Sequence, residues 1–466
     1  MPPASRRPRS RQGELFTRSK RATIEISPTH RLVMITEETD WTELEELVQE
    51  IRRRKLKNEA GRPPHLRALI GAVVFRALRR KTYRETEDQI RHYAPARFLC
   101  GLTETEWTPD ANTIQDFEQL LGEDGVKKLN EHVVKWAVEE KLADPTVVAA
   151  DTTAQEAAVP YPNEMGLMAT FVSAVTVASK HVGAALAGFV KRAGSLFSAA
   201  KKKLRDFRLF AKGKSKAARN RLASSMATVV EQVQDNLAAA LASASRRKLR
   251  LAKARKAAWG RLQRLHATMT RLLPQIRYWL RTNRVARNKI ISLHIPELYS
   301  IVRGKVGKAV EFGLNWGITR LRGGFLVATL AKNKDELHDS RFAVRAAKDH
   351  KAMFGKPPKS YAYDRGGWSE DNVAALKNVG VSNVGLAPRG KTTWQVKGAM
   401  KQKLVSERAQ IEGGIGVLKS RKYGFNRPAA KSADAMGVCG QRSVLGFNLN
   451  KLMNGLAARR DVVLVG

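Results

Sequence analysis

The sequence predicts an α/β protein with a mixed-sheet core, a helical N-terminal domain and a large, basic helical insertion. Three observations predict it. Helical periodicity fills residues 39–143, short β-prone runs appear near residue 145 and again after residue 297, and the stretch between these runs is helical and strongly cationic. At 466 residues the chain is longer than one hydrophobic core usually serves. We therefore expect two or three domains.

Composition indicates the class of partner. Lys and Arg number 84 against 43 Asp and Glu, a net charge of +41, while 43% of the residues are hydrophobic. The apolar content is that of a folded protein, and the charge favours a polyanion, with nucleic acid the better candidate than an acidic membrane. Two cysteines exclude a disulfide framework and a Cys-rich zinc module. The N-terminus lacks the apolar run of a secretory signal, so we expect a soluble intracellular protein with no membrane partner.

The N-terminal third divides into an arm and a helical domain. Residues 1–38 are rich in Arg, Pro and Ser at their start and predict a flexible basic arm. Residues 39–143 carry amphipathic stretches, and Thr82 with Glu85 predicts a capping box at the start of one helix. Several short helices with basic edges are typical of a helix-turn-helix-like DNA reader. A helical bundle that only packs or dimerises is the equal alternative.

Residues 165–290 predict a helical insertion that carries most of the charge. Between residues 191 and 290 there are 27 Lys or Arg but only three acids, which accounts for more than half of the net charge of +41. Such a one-sided run repels itself unless phosphates lie against it, although charge runs are often only solvated faces. The candidate DNA-binding residues here are Lys201, Lys202, Lys203, Arg246, Arg247 and Lys248.

The core is predicted from residues 144–164 and 291–430, on either side of the insertion. A hairpin is expected around Arg322-Gly323-Gly324, and a helix capped by Asp339 is expected to begin near residue 340. Residues 431–466 predict a closing helix and a tail.

Two aspartates end predicted strands of this core. Asp151 ends the run TVVAAD, and Asp364 ends SYAYD, whose preceding residue, Tyr363, is expected to point to the opposite face. Taken singly, each aspartate is typical of a turn or cap. Where two such strand ends meet in one sheet, the carboxylates converge and repel, and a divalent cation with a preference for oxygen, such as Mg²⁺, relieves the repulsion.

A third acid lies on a helix predicted from about residue 405 to 421. Arg408, Glu412 and Lys419 are spaced so that all three fall within about 40° of one another around the helix axis. One stripe therefore carries a carboxylate flanked by two cations. Either Glu412 completes a metal site while the cations hold phosphates, or the stripe is a surface ion pair worth a few tenths of a kcal/mol.

The order strand-Asp, strand-Asp, helix-Glu resembles the ribonuclease-H-like catalytic core of DDE transposases. The Arg-x3-Glu-x6-Lys spacing resembles the Y-R-E-K signature of bacterial insertion-sequence transposases, with Val405 in place of the signature's aromatic residue. Further blocks resemble the same family, in a group with a helical insertion after the first core strand. They are GRPPHLRALIGAVVFRALRRKTYRETEDQIRHYAPARFLCGL, PDANTIQDFEQLL, Asp151-Thr152-Thr153 with VPYPNEMGLM, GKVGKAVEFG from Gly304, and ELHDS at 336–340.

The resemblance implies a function and a site. Asp151, Asp364 and Glu412 would be catalytic and would hold two Mg²⁺ ions, with Mn²⁺ able to substitute, while Arg408 and Lys419 would bind DNA. The protein would bind the terminal inverted repeats of its own insertion sequence, as a homodimer in the end-paired complex, and would cut and join strands of double-stranded transposon-end and target DNA. It would act in the bacterial cytoplasm at the nucleoid. A catalytically inactive or domesticated DNA-binding protein and an RNA-handling nuclease are the alternatives.

Overall fold

The chain forms two compact units, Met1–Leu121 with Leu449–Gly466, and Gly122–Asn448. A computed structural model describes all residues except 1–24, 57–63, 103–106, 183–185, 247–252, 306–307, 332, 334–335, 337, 389, 461–462 and 466. Most of the predicted basic arm therefore lies outside the described residues, as do Arg247 and Lys248.

The first unit is helical in its described part. Its helices are α1 (Arg31–Glu38), α2 (Trp41–Lys55), α3 (Leu66–Arg79), α4 (Tyr83–His92), α5 (Ala94–Leu99) and the start of α6 (Ala111–Glu139), which breaks at Gly122. The predicted capping box is confirmed, because Thr82 and Glu85 each accept a backbone N–H from the other. Helix α3 is buried almost all round, and its Arg76 forms a buried ion pair with Glu118. Sequence periodicity thus predicts helix from Trp41 onwards, whereas α1 lies in the stretch predicted as a flexible arm, and that part of the prediction is wrong because Leu32, Val33, Met34 and Ile35 are buried.

Four helices with their own apolar core follow the first strand of the second unit. They are α7 (Glu164–Ser179), α8 (Ala187–Phe210), α9 (Lys216–Arg246) and α10 (Lys253–Thr282). Phe171, Met226 and Leu262 are fully buried in this core, while Lys and Arg side chains of the same helices are mostly exposed. The one-sided charge of this stretch therefore lies around an ordinary hydrophobic interior.

A mixed six-stranded sheet forms the rest of the core. Its strands are β1 (Asp144–Glu156), β2 (Tyr299–Lys305), β3 (Lys308–Arg322), β4 (Leu326–Leu330), β5 (Ser360–Tyr363) and β6 (Asn383–Leu386). The order is β2-β3-β1-β5-β6, with β4 also paired to β3. Strand β1 runs antiparallel to β3 and parallel to β5, and β5 runs parallel to β6. The predicted α/β class with a mixed sheet is what the structure has.

The long strand β3 accounts for one confirmed and one wrong prediction. The hairpin to β4 turns at Gly323 and Gly324, both at positive φ, as predicted. The predicted end of β1 at Asp151 is wrong, because β1 continues to Glu156 and pairs with β3 as far as Gly313. Asp151 instead lies within β1, near the point where the parallel neighbour β5 ends.

Helices cover both faces of the sheet. On one face, α11 (Asp339–Phe354) lies close against β3, since a Cβ on Gly317 would clash with Phe342. Helix α12 (Glu370–Val379) packs on α11 and begins at the predicted Ser369 cap. The other face carries α13 (Gly398–Leu418) and α14 (Ala433–Arg459). The predicted cap by Asp339 is wrong, because His338 holds the cap position and Asp339 is the first residue of α11.

Candidate active site

The sheet brings Asp151 and Asp364 to neighbouring positions. Strands β1 and β5 pair in parallel with Ala149 opposite Ala362, and the same register continued by two residues sets Asp151 opposite Asp364. Neighbouring strands in a sheet lie about 4.8 Å apart. The two carboxylates, 213 residues apart in the sequence, therefore share one end of the β1–β5 pair.

Both aspartates project to the face that α13 covers. Ala149 and Ala362 belong to the apolar cluster that includes the buried residues of α13, and side chains two residues further along point the same way. Tyr363 points to the opposite face, as predicted, where its ring centroid lies 6.3 Å from that of Phe342 in α11. The acids and the tyrosine thus separate onto the two faces of the sheet.

Arg408 and Glu412 of the predicted stripe lie on α13, and Lys419 is the C-cap residue of this helix. Its buried residues are Leu404, Glu407, Ile411, Ile415 and Leu418. Arg408 Nη2 lies 4.0 Å from Glu412 Oε1, and the Glu412 side chain is 61% exposed. Lys419 Nζ donates to Thr153 Oγ1 at 3.2 Å and lies 3.9 Å from Glu311 Oε1. Lys419 therefore reaches β1 two residues beyond Asp151.

A buried ion pair fixes α13 on the sheet. Arg320 of β3 pairs with Glu407 of α13 and also donates to Gln410, and both charged side chains are less than a tenth exposed. A buried pair of this kind is costly to break because the remaining charge is left uncompensated. Sequence analysis missed this pair, since its members lie 87 positions apart and no local pattern links them.

A further acid, Asp339, lies beside the two aspartates. The Thr152 hydroxyl donates to Asp339 Oδ1 at 2.5 Å. A Cβ on Gly366 would lie 2.7 Å from Asp339 Oδ2, so the carboxylate also packs on the turn that follows Asp364. Sequence analysis assigned Asp339 only as a cap. The available signal was its place in the ELHDS block.

The groups around Asp364, at the end of β5, shift the pKa of its carboxyl group. Burial and the neighbouring Asp339 raise the pKa of Asp364. Backbone N–H groups, including that of Gly366 at 2.8 Å from Asp364 Oδ1, and the positive charge of Arg408 oppose the rise. The site therefore holds negative charge at a cost, which a bound cation would relieve.

The donor set suits a hard divalent cation. Within the described residues, no three His, Cys, Asp or Glu side chains lie close enough together to hold a metal ion on their own. Magnesium does not need such a cage, because it is usually bound by one or two carboxylates together with water and substrate phosphates. Asp151, within β1, and Asp364, directly after β5, supply two such carboxylates, whereas Glu412 forms no three-acid cluster with them among the described residues.

The predicted basic residues of the insertion are only partly described. Lys201 and Lys202 are exposed on α8, and Lys203 is half-buried. Lys201 Nζ lies 5.3 Å from the centroid of the Phe197 ring. The side chain of Arg246 and the whole of Arg247 and Lys248 lie outside the part that the structure describes.

Fold and site together define a mixed α/β protein with a carboxylate pair at a strand end and a cationic helical insertion. Residues 21–120 match the family model of a transposase domain, DUF772, which supports a transposase. No curated protein and no solved structure matches the chain. Among the described helices, none combines the length and the apolar content needed to cross a membrane.

Proposed function

We propose that the protein is a DDE transposase with a ribonuclease-H-like core, which binds the ends of its own insertion sequence and cuts and transfers DNA strands. The observation that carries the proposal is the parallel pairing of β1 and β5, whose register, continued by two residues beyond the last pair Ala149–Ala362, sets Asp151 opposite Asp364 on the face that α13 covers. The matched transposase domain at residues 21–120 supports the same class from a separate part of the chain.

In this proposal the acidic residues bind metal and the basic residues bind DNA. Asp151 and Asp364 would hold Mg²⁺, for which Mn²⁺ is the natural substitute. Among the described residues Glu412 forms no three-acid cluster with them, so it would join the metal site when α13 shifts on binding DNA. Bound there, the metal would activate a water or a DNA 3′-OH as nucleophile and stabilise the leaving oxygen. Arg408, whose charge acts on Asp364, and Lys419, held at Thr153, would contact phosphates of the strand being cut.

One side of α13 is open beside Glu412. A Cβ on Gly413 would meet no atom within 4 Å, so the helix backbone next to Glu412 is open. The exposed cations of the insertion would bind phosphates further along the DNA and would make binding steeply salt-dependent. Paired ends and target DNA would be held by a homodimer.

Cleavage assays with single-residue variants test the proposal. The substrate is a duplex that carries the short inverted repeats flanking the gene, incubated with Mg²⁺. We expect Asp151→Asn, Asp364→Asn and Glu412→Gln each to reduce cutting at least about 100-fold while duplex binding stays nearly unchanged, because these acids act on the reacting phosphate. Glu370→Gln, an exposed carboxylate six residues past Asp364, is the matched control and should cut normally.

The outcomes separate the alternatives. Normal cutting by Asp364→Asn would contradict the assignment of the site. Binding of the ends without cutting by the wild-type chain would indicate a non-catalytic DNA-binding protein, and a preference for RNA or hybrid substrates would indicate a nuclease.

A further inference from the structure

The turn between α8 and α9 carries two large apolar side chains at the surface. Leu209 is 63% exposed and Phe210 is 53% exposed, and they are the last two residues of α8. Gly213, at a φ of 77°, then turns the chain towards α9. Burying a Leu or Phe side chain stabilises a protein by about 1.5–3 kcal/mol. Neither Leu209 nor Phe210 is buried here, so this stabilisation is missing at both positions. A partner that covers the pair would recover it.

Cations surround these two side chains. The exposed ones on the same segment are Arg205, Arg208, Lys212, Lys214, Lys216 and Arg219. Between residues 205 and 221 the sequence has a single acid, Asp206. The partner that fits such a surface is a polyanion with an apolar interior that two side chains can reach.

The end of α10 enlarges the same surface. Asn220, in the first turns of α9, donates from Nδ2 to Asn283 Oδ1 at 3.0 Å, so the two segments meet at one end of the four-helix bundle. Just beyond, Val285 is 67% exposed, between the exposed Arg284 and Arg287. The bundle end thus combines three exposed apolar side chains with a dense ring of positive charge.

This end of the bundle is also where the chain enters and leaves the insertion. Glu164, the first residue of α7, pairs with Lys289, which follows α10, at 2.5 Å. Helix α7 follows directly on β1, the strand that carries Asp151. The bundle end that carries Leu209, Phe210 and Val285, called the tip below, therefore lies on the side of the insertion that joins the sheet.

We propose that Leu209 and Phe210 form a wedge that inserts between base pairs of bound duplex DNA, while the surrounding cations hold the flanking phosphates. The inference rests on the proposed function, which makes DNA the ligand. Leu and Phe are among the side chains that DNA-kinking proteins insert into the stack, and the unstacking cost is offset by the additional contacts of the bent duplex. Stacked bases supply the apolar interior that the tip requires, and phosphates supply the charge.

Fluorescence of 2-aminopurine, which rises when the base unstacks, tests the wedge. A set of duplexes carries one 2-aminopurine each, at successive positions of the transposon end and of an unrelated sequence. We expect wild-type protein to increase the fluorescence at one step, and Leu209→Ala/Phe210→Ala to abolish the increase and to weaken binding about tenfold. The salt slope should stay unchanged, because no phosphate contact is lost. Val177→Ala, which removes an exposed apolar side chain elsewhere on the insertion, should behave as wild type.

A charge variant separates the wedge from general DNA binding. Lys212→Ala/Lys214→Ala should lower the slope of log affinity against log salt by about 1.8 and keep the fluorescence increase. A fluorescence increase that persists in Leu209→Ala/Phe210→Ala would overturn the wedge.

The behaviour of the wild-type protein distinguishes a failure of the wedge from a failure of the proposed function. Protein that binds and cuts duplex without a fluorescence change at any position would remove the wedge alone, whereas protein that binds no duplex would remove the proposed function as well. Binding to vesicles of phosphatidylserine and phosphatidylcholine that is lost in Leu209→Ala/Phe210→Ala, without any fluorescence change on DNA, would assign the tip to membranes instead.

Discussion

The insertion and the sheet use charge in opposite ways. In the insertion, Lys and Arg lie mostly outside an apolar core and face solvent. The sheet region, in contrast, holds several charged groups buried or half-buried in fixed positions, as in the Arg320–Glu407 pair and in Asp364 beside Asp339. The effect of exposed cations depends on their number and is screened by salt, whereas the effect of buried charges depends on their position and is screened much less. The difference predicts that substitutions in the two regions have separable effects.

The largest effect should come from breaking the buried pair that holds α13. Glu407→Ala leaves the Arg320 guanidinium buried without its partner, and we expect it to lower the free energy of unfolding by about 3–5 kcal/mol. Chemical denaturation followed by circular dichroism measures the change. The control is Arg322→Ala, since Arg322 lies 3.9 Å from the same carboxylate but is 53% exposed.

An exposed pair is worth at most about 1 kcal/mol, so the control should lose little. Equal decreases in the free energy of unfolding for Glu407→Ala and Arg322→Ala would show that buried and exposed charges contribute equally to stability. That result would contradict the difference between the two regions.

The sequence predicts the insertion better than the sheet, because the charges of the insertion follow from local sequence and those of the sheet from long-range contacts. Charge composition and helical period are local properties, so the sequence predicts the helices and the cationic surface of the insertion. The short β-prone runs that lead to Asp151 and Asp364 also predict strands, although β1 continues past Asp151 to Glu156. The Arg320–Glu407 pair and the Thr152–Asp339 hydrogen bond join residues 87 and 187 positions apart, and only the folded sheet brings them together.

Helix α13 and its C-cap contain one feature that the sequence predicts and one that it does not. The stripe of Arg408, Glu412 and Lys419 follows from helical spacing alone. The ion pair that orients this stripe depends on Glu407, one residue before Arg408, whose long-range partner no spacing reveals. Strand length was mispredicted for a similar reason, since β1 extends past Asp151 only because β3 is long enough to pair with it.

A smaller effect is expected from the insertion. Replacing Lys201, Lys202 and Lys203 by Ala removes up to three phosphate contacts, which lowers the slope of log affinity against log salt by up to about 2.7. The affinity loss between 50 and 200 mM salt should then shrink by up to about 40-fold. Folding should be unaffected. Fluorescence anisotropy of a labelled duplex at several salt concentrations measures the slope.

Three exposed lysines near the sheet provide the control. Lys348, Lys356 and Lys359 carry the same charge outside the insertion, and their replacement by Ala should leave the slope unchanged. An equal decrease in both triple variants would mean that total charge, rather than the insertion, governs DNA binding.

The smallest effect concerns the aspartate pair itself. Burial and Asp339 raise the pKa of Asp364 above its unfolded value, so the ionised carboxylate costs stability at neutral pH, and the cost disappears as pH falls below the unfolded pKa. We expect Asp364→Asn to melt at a higher temperature than wild type at pH 7.

Melting with and without Mn²⁺ at pH 7 tests the central claim most directly, because a ligand bound to the folded state raises the melting temperature. The account predicts that Mn²⁺ stabilises the wild-type chain and not Asp364→Asn, which starts out the more stable of the two. Equal stabilisation of both proteins by Mn²⁺, together with a lower melting temperature for Asp364→Asn in its absence, would contradict a metal site between Asp151 and Asp364.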